Sequence, residues 1–356
     1  LRKDKILVVE IPLNKHFCYI RFMILVTGGT GLVGSHLLYQ LSLENDKIRA
    51  IHRKNSNLEA VKNVFSYYST NFEALFHKIE WIEADISDVF SLEIAFENVT
   101  EVYHSAALIS FGKKDYKAMR KINIDGTANI ANFCIENKVT KLCFVSSVAA
   151  VGKSLNGNFI DETTEWDIEK SNYGYAITKY GAEMEVWRAS QEGVPVVIVN
   201  PGVILGPGFW ASGSGKLFSK IHKGFKFYTE GITGYVAVND VVKAMLQLMK
   251  SVVKNERFIL VSENQSFKSI FTEIAQNFDK KPPSIKVSKL MSEMGWRLEK
   301  VKSILTGKPA LLSKNTAETI HTSRFYSSEK IIKSLDFKFE PLSKTIKEVC
   351  GFYKKG

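Results

Sequence analysis

Ile24-Leu25-Val26-Thr27-Gly28-Gly29-Thr30-Gly31-Leu32-Val33-Gly34 is the stretch on which the fold turns. Its opening is a short aliphatic run of strand character. The residues after it carry apolar side chains at 33, 37, 38 and 41, the spacing of a helix. Between the two, Gly28, Gly31 and Gly34 stand in the pattern G-x-x-G-x-x-G. A strand-to-helix turn needs glycine there for three reasons. A residue without Cβ makes the tight bend, bare backbone lets a pyrophosphate come close, and the last glycine lets the helix settle against the strand. The helix N-terminus then offers free N–H groups and a partial positive charge to phosphate. On this reading Thr27, Gly28, Thr30, Gly31, Leu32, Val33 and Gly34 are candidate contacts to a dinucleotide. A glycine triplet alone is a common turn. Its weight comes from the strand before it, the helix after it and its place at the head of a βαβ series.

Working outward, residues 47–51, 79–82, 101–104, 141–146 and 194–200 read as strands, and 123–137 and 173–191 as helices. Strands alternating with helices at this spacing predict an α/β fold, a Rossmann-type doubly wound parallel sheet covered on both faces. After Pro201 the rhythm changes. Gly206-Pro207-Gly208 and Gly213-Ser214-Gly215 punctuate a loop-rich stretch, 238–249 returns as an amphipathic helix, and 258–261 reads as one more strand. From Ser266 the chain reads as mostly helical and rich in lysine. The expected division is a dinucleotide-binding domain at 23–200, to which the chain returns at about 235–262, and a smaller, mostly helical substrate lobe from 201–234 and 263–350. Met23 stands directly before the first strand, so residues 1–22 are expected to be an extension that does not belong to the native protein.

Of the 356 residues, 45% are hydrophobic and 24% charged, which is ordinary globular composition. The net charge of +11 is spread along the chain without a dense basic block, which argues for a solvated basic surface and against nucleic acid. No apolar run approaches the roughly 18 residues that span a bilayer. Cys18, Cys134, Cys143 and Cys350 form no C-x-x-C pair and have no histidine cluster beside them, so neither a metal site nor a disulfide framework is expected. A cytoplasmic location fits. Residues 285–305 mix leucine, methionine and Trp296 with basic residues; they read as a lobe helix covering a pocket in preference to a membrane-surface helix.

The end of the second strand, Ala50-Ile51-His52-Arg53-Lys54, is where a dinucleotide fold reads the adenine ribose. No carboxylate stands there. Arg53, with Lys54 or Ser56 beside it, would meet a 2′-phosphate through charge-assisted bonds. NADP(H) is therefore expected over NAD(H). Further on, Tyr175-Ala176-Ile177-Thr178-Lys179 sets a phenol and an ammonium one helical turn apart on one face. A free tyrosine, with a pKa of about 10, is a poor acid–base group at neutral pH. A nearby lysine cation favours the phenolate, which brings the tyrosine within use as a proton donor and acceptor. Ser147, after the fifth strand, could hold the same oxygen. Tyr173 is followed four residues on by Ile177 and lacks the lysine.

In this order the motifs resemble the extended short-chain dehydrogenase/reductase superfamily, the group called NAD-dependent epimerase/dehydratase, from Met23 to about residue 350. The resemblance implies an adenine contact at Asp85 and Ile86, and a small-residue wall at Ala106 and Ala107. It implies an active-site asparagine at Asn123, catalytic Ser147, Tyr175 and Lys179, and a nicotinamide-lining run at Pro201, Gly202 and Val203. The mechanism it implies is hydride exchange between nicotinamide and a carbonyl carbon, with Tyr175 handling the proton and Lys179 holding the ribose. Ser147-Val148-Ala149 lacks the Thr-Asp-Glu of sugar-nucleotide dehydratases. The run from Val199 to Gly208 looks more like the dihydroflavonol reductase and 3β-hydroxysteroid dehydrogenase branch than like the sugar epimerases. The expectation is a carbonyl reductase with a small-molecule, moderately apolar substrate. A nucleotide-sugar epimerase is the alternative, and a non-catalytic dinucleotide-binding sensor a third reading. A homodimer through the helices around Asn123 and Tyr175 is expected by the same likeness.

Overall fold

A computed structural model describes residues 22–110, 112–154, 159–167, 174–306 and 313–355. The readings made for residues 1–21 and for Tyr173 lie outside these. The chain opens with β1 (Met23–Thr27), α1 (Leu32–Glu44), β2 (Ile48–His52), α2 (Leu58–Ser66), α3 (Phe72–His77), β3 (Ile79–Glu83), α4 (Val89–Ala95) and β4 (Val99–His104). There follow α5 (Tyr116–Met119), a π-helical stretch at Arg120–Asp125, α6 (Gly126–Glu136), β5 (Lys141–Val145), α7 (Gly174–Gln191) and β6 (Val196–Pro201). Next come β7 (Val203–Leu205), α8 (Gly215–His222), β8 (Phe227–Tyr228), β9 (Ile232–Ala237), α9 (Val238–Lys250), β10 (Glu256–Leu260) and β11 (Glu263–Ser266). The chain ends through α10 (Phe267–Asn277), β12 (Ile285–Lys286), α11 (Lys289–Thr306), α12 (Lys314–Thr319), α13 (Glu329–Leu335) and α14 (Leu342–Lys355).

Seven of these strands form one sheet in the order β10-β6-β5-β4-β1-β2-β3, parallel throughout. The central strands β1, β5 and β6 are nearly continuous apolar runs, because the middle of a parallel sheet is covered on both faces. Alternation along β1 sorts the side chains. Ile24 and Val26 join Leu37 and Leu38 of α1 and Val241, Met245 and Leu248 of α9 on one face. Leu25 joins Ile130 of α6 and Ala182, Val186 and Ala189 of α7 on the other. Two buried strand cations tie helix ends to this core. Lys141 donates to the carbonyls of Leu248 and Ser251 at 2.6 and 2.8 Å, capping α9. Arg49 donates to Ala95 and Glu97 after α4 at 3.0 and 2.8 Å and grips both oxygens of Glu80. A cation at a helix C-terminus meets unpaired carbonyls and the negative end of the dipole together.

Strand order reverses between β1 and β4, where Thr27 and His104 are register partners at the strand ends. A crevice for a ligand opens at such a switch point.

The stretch after Pro201, expected to be loop-rich, holds β7, α8 and β9. With β11, strands β7 and β9 form a second, three-stranded sheet. β9 is interrupted by Gly234, β11 is polar and β7 is three residues long, so none shows the apolar alternation that marks a strand in sequence. The glycines serve close approach: a Cβ on Gly202 would stand 2.4 Å from the Gly234 carbonyl oxygen. Helices α2, α3 and α4 were also not anticipated, although Asn57 caps α2 by accepting from the Ala60 N–H at 3.1 Å.

Candidate functional site

The glycine turn joins β1 to α1 as read, but its three glycines answer to different neighbours. Gly28 has φ of 72°, and a Cβ there would stand 2.5 Å from the Ala106 nitrogen. It therefore lets the turn lie directly on the end of β4. At Gly34 a Cβ would stand 2.2 Å from the Gly28 carbonyl oxygen, so this glycine brings α1 onto the turn. Gly31 is different: its Cβ would meet only the Gly28 oxygen, at 3.4 Å, an ordinary contact. Nothing in the protein's own packing requires a bare backbone at Gly31. It is the N-cap of α1, in extended conformation, with no side chain capping the helix and no acidic residue in the first turn. A helix N-terminus left in this state suits an anionic group.

Thr27 is stitched to the facing strand. Its Oγ1 lies 2.6 Å from Nδ1 of His104 and accepts from the Ala106 N–H at 3.3 Å, and its carbonyl accepts from Ser105 Oγ at 2.7 Å. His104 is fully buried between Thr27 and Thr127, whose Oγ1 lies 2.9 Å from its Nε2. Burial, with the Lys179 charge adding to it, lowers its pKa to about 3. This neutral histidine thus spans β1, β4 and α6. Ala106 is half-buried against the turn and Ala107 is exposed.

Arg53 follows β2 and is exposed, its N–H donating to Ser56 Oγ at 3.1 Å. Across from it, Asp85 accepts from the Ser87 N–H and Oγ, both at 2.8 Å. Burial alone would raise the Asp85 pKa; the Ser87 bonds and the charges of Arg53 and Lys121 outweigh it and hold the carboxyl below its usual range. Ile86 is buried against Gly126, where a Cβ would lie 2.7 Å from its Cδ1, so its visible work is packing.

Ser147, Tyr175 and Lys179 come together at the ends of β5 and α7. Tyr175 and Ser147 share a side-chain hydrogen bond, and Ser147 Oγ also accepts from the Ala149 N–H at 3.1 Å. Lys179 is 2% exposed; its Nζ donates to the Val145 carbonyl at 2.7 Å and sits 4.4 Å above the Phe144 ring centroid. One expectation needs correcting. Lys179 is expected to lower the Tyr175 pKa, whereas burial pushes Tyr175 up to about 12, with the Ser147 bond opposing the rise. The physical reason is that the lysine is spent on Val145 and is itself desolvated. Burial lowers its pKa to about 7, partly offset by Glu183.

Asn123 lies in the π-helical stretch, buried, and is occupied by structure. Its Oδ1 accepts from the Leu108 N–H at 2.7 Å, and its Nδ2 donates to the Leu108 carbonyl and to Thr178 Oγ1 at 3.0 and 3.1 Å. It locks the segment after β4 to α7 one residue from Lys179. Pro201 is buried at the end of β6, and Gly202 and Val203 are half-buried as the chain enters β7.

Sequence reasoning missed a buried polar network behind this cluster. Glu183 has no exposed side-chain surface and binds Arg257 at 3.1 Å. It accepts from Ser146 Oγ at 2.6 Å and from Asn200 Nδ2 at 2.9 Å. Asn200 also donates to the Ser147 carbonyl at 3.1 Å. The spacing Tyr175, Lys179, Glu183 puts all three on one stripe of α7, a signal that could have found Glu183. Nothing local points to Arg257. Asn200 Oδ1 is buried without a partner among the described residues.

These features fit a nicotinamide dinucleotide: a helix N-terminus without a cap, a glycine kept bare for no internal reason, and an orphaned acceptor at the end of β6. Residues 24–260 match the NAD dependent epimerase/dehydratase family. The chain is similar to a Synechocystis sp. protein that carries dihydroflavonol 4-reductase as a provisional name, 28% identical over 258 residues, covering 70% of this chain and 71% of that one. It is also similar to the UDP-glucose 4-epimerase of Vibrio cholerae, 26% identical over 268 residues, covering 72% and 76%. Among solved structures it resembles that of gox2253, with a TM-score of 0.78, 26% identity and coverage of 94% and 98%. The chain belongs to the NAD dependent epimerase/dehydratase family and is an NAD(P)-dependent enzyme of the extended short-chain dehydrogenase/reductase superfamily.

Proposed function

We propose that the protein is an NADPH-dependent reductase of a moderately apolar ketone or aldehyde, with Tyr175 as the acid. The observation that carries this reading is the Ser147–Tyr175 hydrogen bond beside the buried Lys179. With its pKa near 12, Tyr175 holds its proton at neutral pH, the state a reductase needs in its donor. When bound, the reduced nicotinamide supplies hydride to the carbonyl carbon. Tyr175 gives its phenolic proton to the carbonyl oxygen, which Ser147 orients, and solvent reprotonates the tyrosine. Lys179 would hold the nicotinamide ribose.

Around this centre, Thr27, Thr30 and the backbone from Gly28 to Gly34 would hold the pyrophosphate. Asp85 and Ile86 would meet the adenine, Ala106 and Ala107 would wall the cofactor, and Pro201, Gly202 and Val203 would border the nicotinamide. Arg53 would take the 2′-phosphate, since no carboxylate stands at the end of β2 to claim a free ribose. Residues 201–234 and 263–350 would form the lobe that closes over the substrate. The same proposal includes a homodimer through α6 and α7. Ile177 and Met184, seven residues apart on α7, are each 37% exposed and would be covered there; light scattering after gel filtration checks it.

The likeness to a chain named as a reductase supports the redox reading, and the likeness to UDP-glucose 4-epimerase keeps epimerisation as the second. A panel of aryl and alkyl ketones and aldehydes with NADPH, run beside UDP-sugars with catalytic NAD, separates them. NADPH consumption on the carbonyl panel is the expected result. Isomerised sugar without net redox change would replace the reductase reading by the epimerase one.

A further inference from the structure

Helix α11 carries an apolar stripe that is exposed among the described residues. Leu290, Met291, Met294 and Leu298 are 70%, 44%, 57% and 68% exposed. At 3.6 residues per turn they fall within one narrow arc. The opposite side of the helix is the one that packs. Ser292 is 2% exposed with its Oγ 2.7 Å from Nε2 of His321, and Trp296, one turn on, is half-buried. The side expected to cover a pocket thus faces outward. Four residues before the helix, Ile285 and its register partner Phe227 are 39% and 41% exposed.

The charge around the stripe says what it suits. Between 281 and 306 there are six basic residues and two acidic ones, Glu293 and Glu299. Both acids are half-buried and paired with basic residues of their own helix, Arg297 and Lys302. Lys281, Lys289 and Lys300 are exposed and have no acidic partner among the described residues. An apolar stripe bordered by free lysines repels a second copy of itself and attracts an anionic, partly apolar surface. No helix among the described residues is long and apolar enough to cross a membrane. An amphipathic helix of this kind lies in the plane of the interface instead.

We propose that α11 docks on an anionic lipid surface, with Leu290, Met291, Met294 and Leu298 entering the headgroup boundary and Lys281, Lys289 and Lys300 facing the lipid phosphates. The proposal is independent of the catalytic reading. The test is co-sedimentation of the full chain with vesicles of phosphatidylcholine, with and without phosphatidylglycerol. Binding is expected only to the anionic vesicles, falling as salt rises. Each lysine near such a surface is worth about fivefold in affinity, so changing Lys281, Lys289 and Lys300 to glutamine should weaken binding by about 100-fold. The triple change Leu290→Glu, Met294→Glu, Leu298→Glu should abolish it. All six positions are exposed, and thermal melting confirms that both variants fold. Three results would overturn the proposal: no binding to anionic vesicles, equal binding to neutral ones, or a concentration-dependent dimer that only the stripe variant disrupts while vesicles go unbound. The last would make the stripe an interface between copies.

Discussion

Alanine placed at Gly31 and at Gly34, one at a time, separates ligand recognition from packing in the glycine turn. At Gly34 the new methyl would stand 2.2 Å from the Gly28 carbonyl oxygen and 2.8 Å from the Gly29 Cα, backbone atoms with no rotamer to yield. Alanine gains about 1 kcal/mol of helix propensity over glycine. Forcing α1 away from the turn costs about 1–3 kcal/mol or more, as overpacking does. The balance is destabilising, a fall of a few degrees in Tm. At Gly31 the backbone (φ −103°, ψ 177°) accommodates alanine and the nearest atom is 3.4 Å away. Loss of unfolded-state freedom, about 0.4–1 kcal/mol, roughly offsets the poorer N-cap, about 1 kcal/mol. Tm should barely move. The methyl would, however, fill the approach to the α1 N-terminus. Losing one charge-assisted bond of about 1.5–3 kcal/mol there weakens dinucleotide binding by about 10–100-fold. Thermal melting and titration of NADPH fluorescence read the two quantities separately. If Gly31→Ala bound NADPH as tightly as the wild type, or melted as low as Gly34→Ala, the assignment of Gly31 to the ligand would be refuted.

Three further outcomes follow from the geometry. Arg53→Ala should weaken NADPH binding by about 10–100-fold through loss of the charge-assisted bonds and leave NADH binding nearly unchanged; equal losses for both would deny Arg53 the 2′-phosphate. His104 binds a proton more readily unfolded, near pH 6.5, than folded, near 3. Stability should therefore fall as pH drops through 6.5 toward 3, by up to about 1.4 kcal/mol per pH unit. His36, with its folded pKa near 4, adds to the slope above that pH, and urea midpoints against pH for wild type and His104→Gln should show the variant flatter. Arg257→Met leaves Glu183 buried without its cation and should cost about 3–5 kcal/mol, with Glu183→Gln in the same chain recovering part of it in urea unfolding.

The parts of this molecule visible in the sequence are those whose cause is local. The apolar runs of β1, β5 and β6 announce a covered parallel sheet, and the glycine spacing after Val26 announces the turn. Tyr175 and Lys179 are readable because helical spacing alone puts them on one face. Strand β9 escaped because close approach at Gly234 favoured glycine over a side chain that would have marked it, and β7 because three residues are too few to show a pattern. The state of the Tyr–Lys pair escaped for a different reason: it depends on the Val145 carbonyl, 34 residues before Lys179. The Glu183–Arg257 pair, 74 residues apart, is likewise a product of the sheet bringing β10 beside β6. The exposed side of α11 could not be told from a buried one by periodicity, since both have the same amphipathic pattern.

The most direct test of the proposed chemistry is single-turnover reduction of a carbonyl substrate by the NADPH-loaded enzyme, comparing wild type with Tyr175→Phe. Loss of a positioned acid should slow hydride transfer by about 10²–10⁴-fold, while NADPH affinity, which the proposal assigns to the glycine turn and Arg53, should stay the same. Transfer by Tyr175→Phe at the wild-type rate, with the same cofactor affinity, would contradict the assignment of Tyr175 as the proton donor.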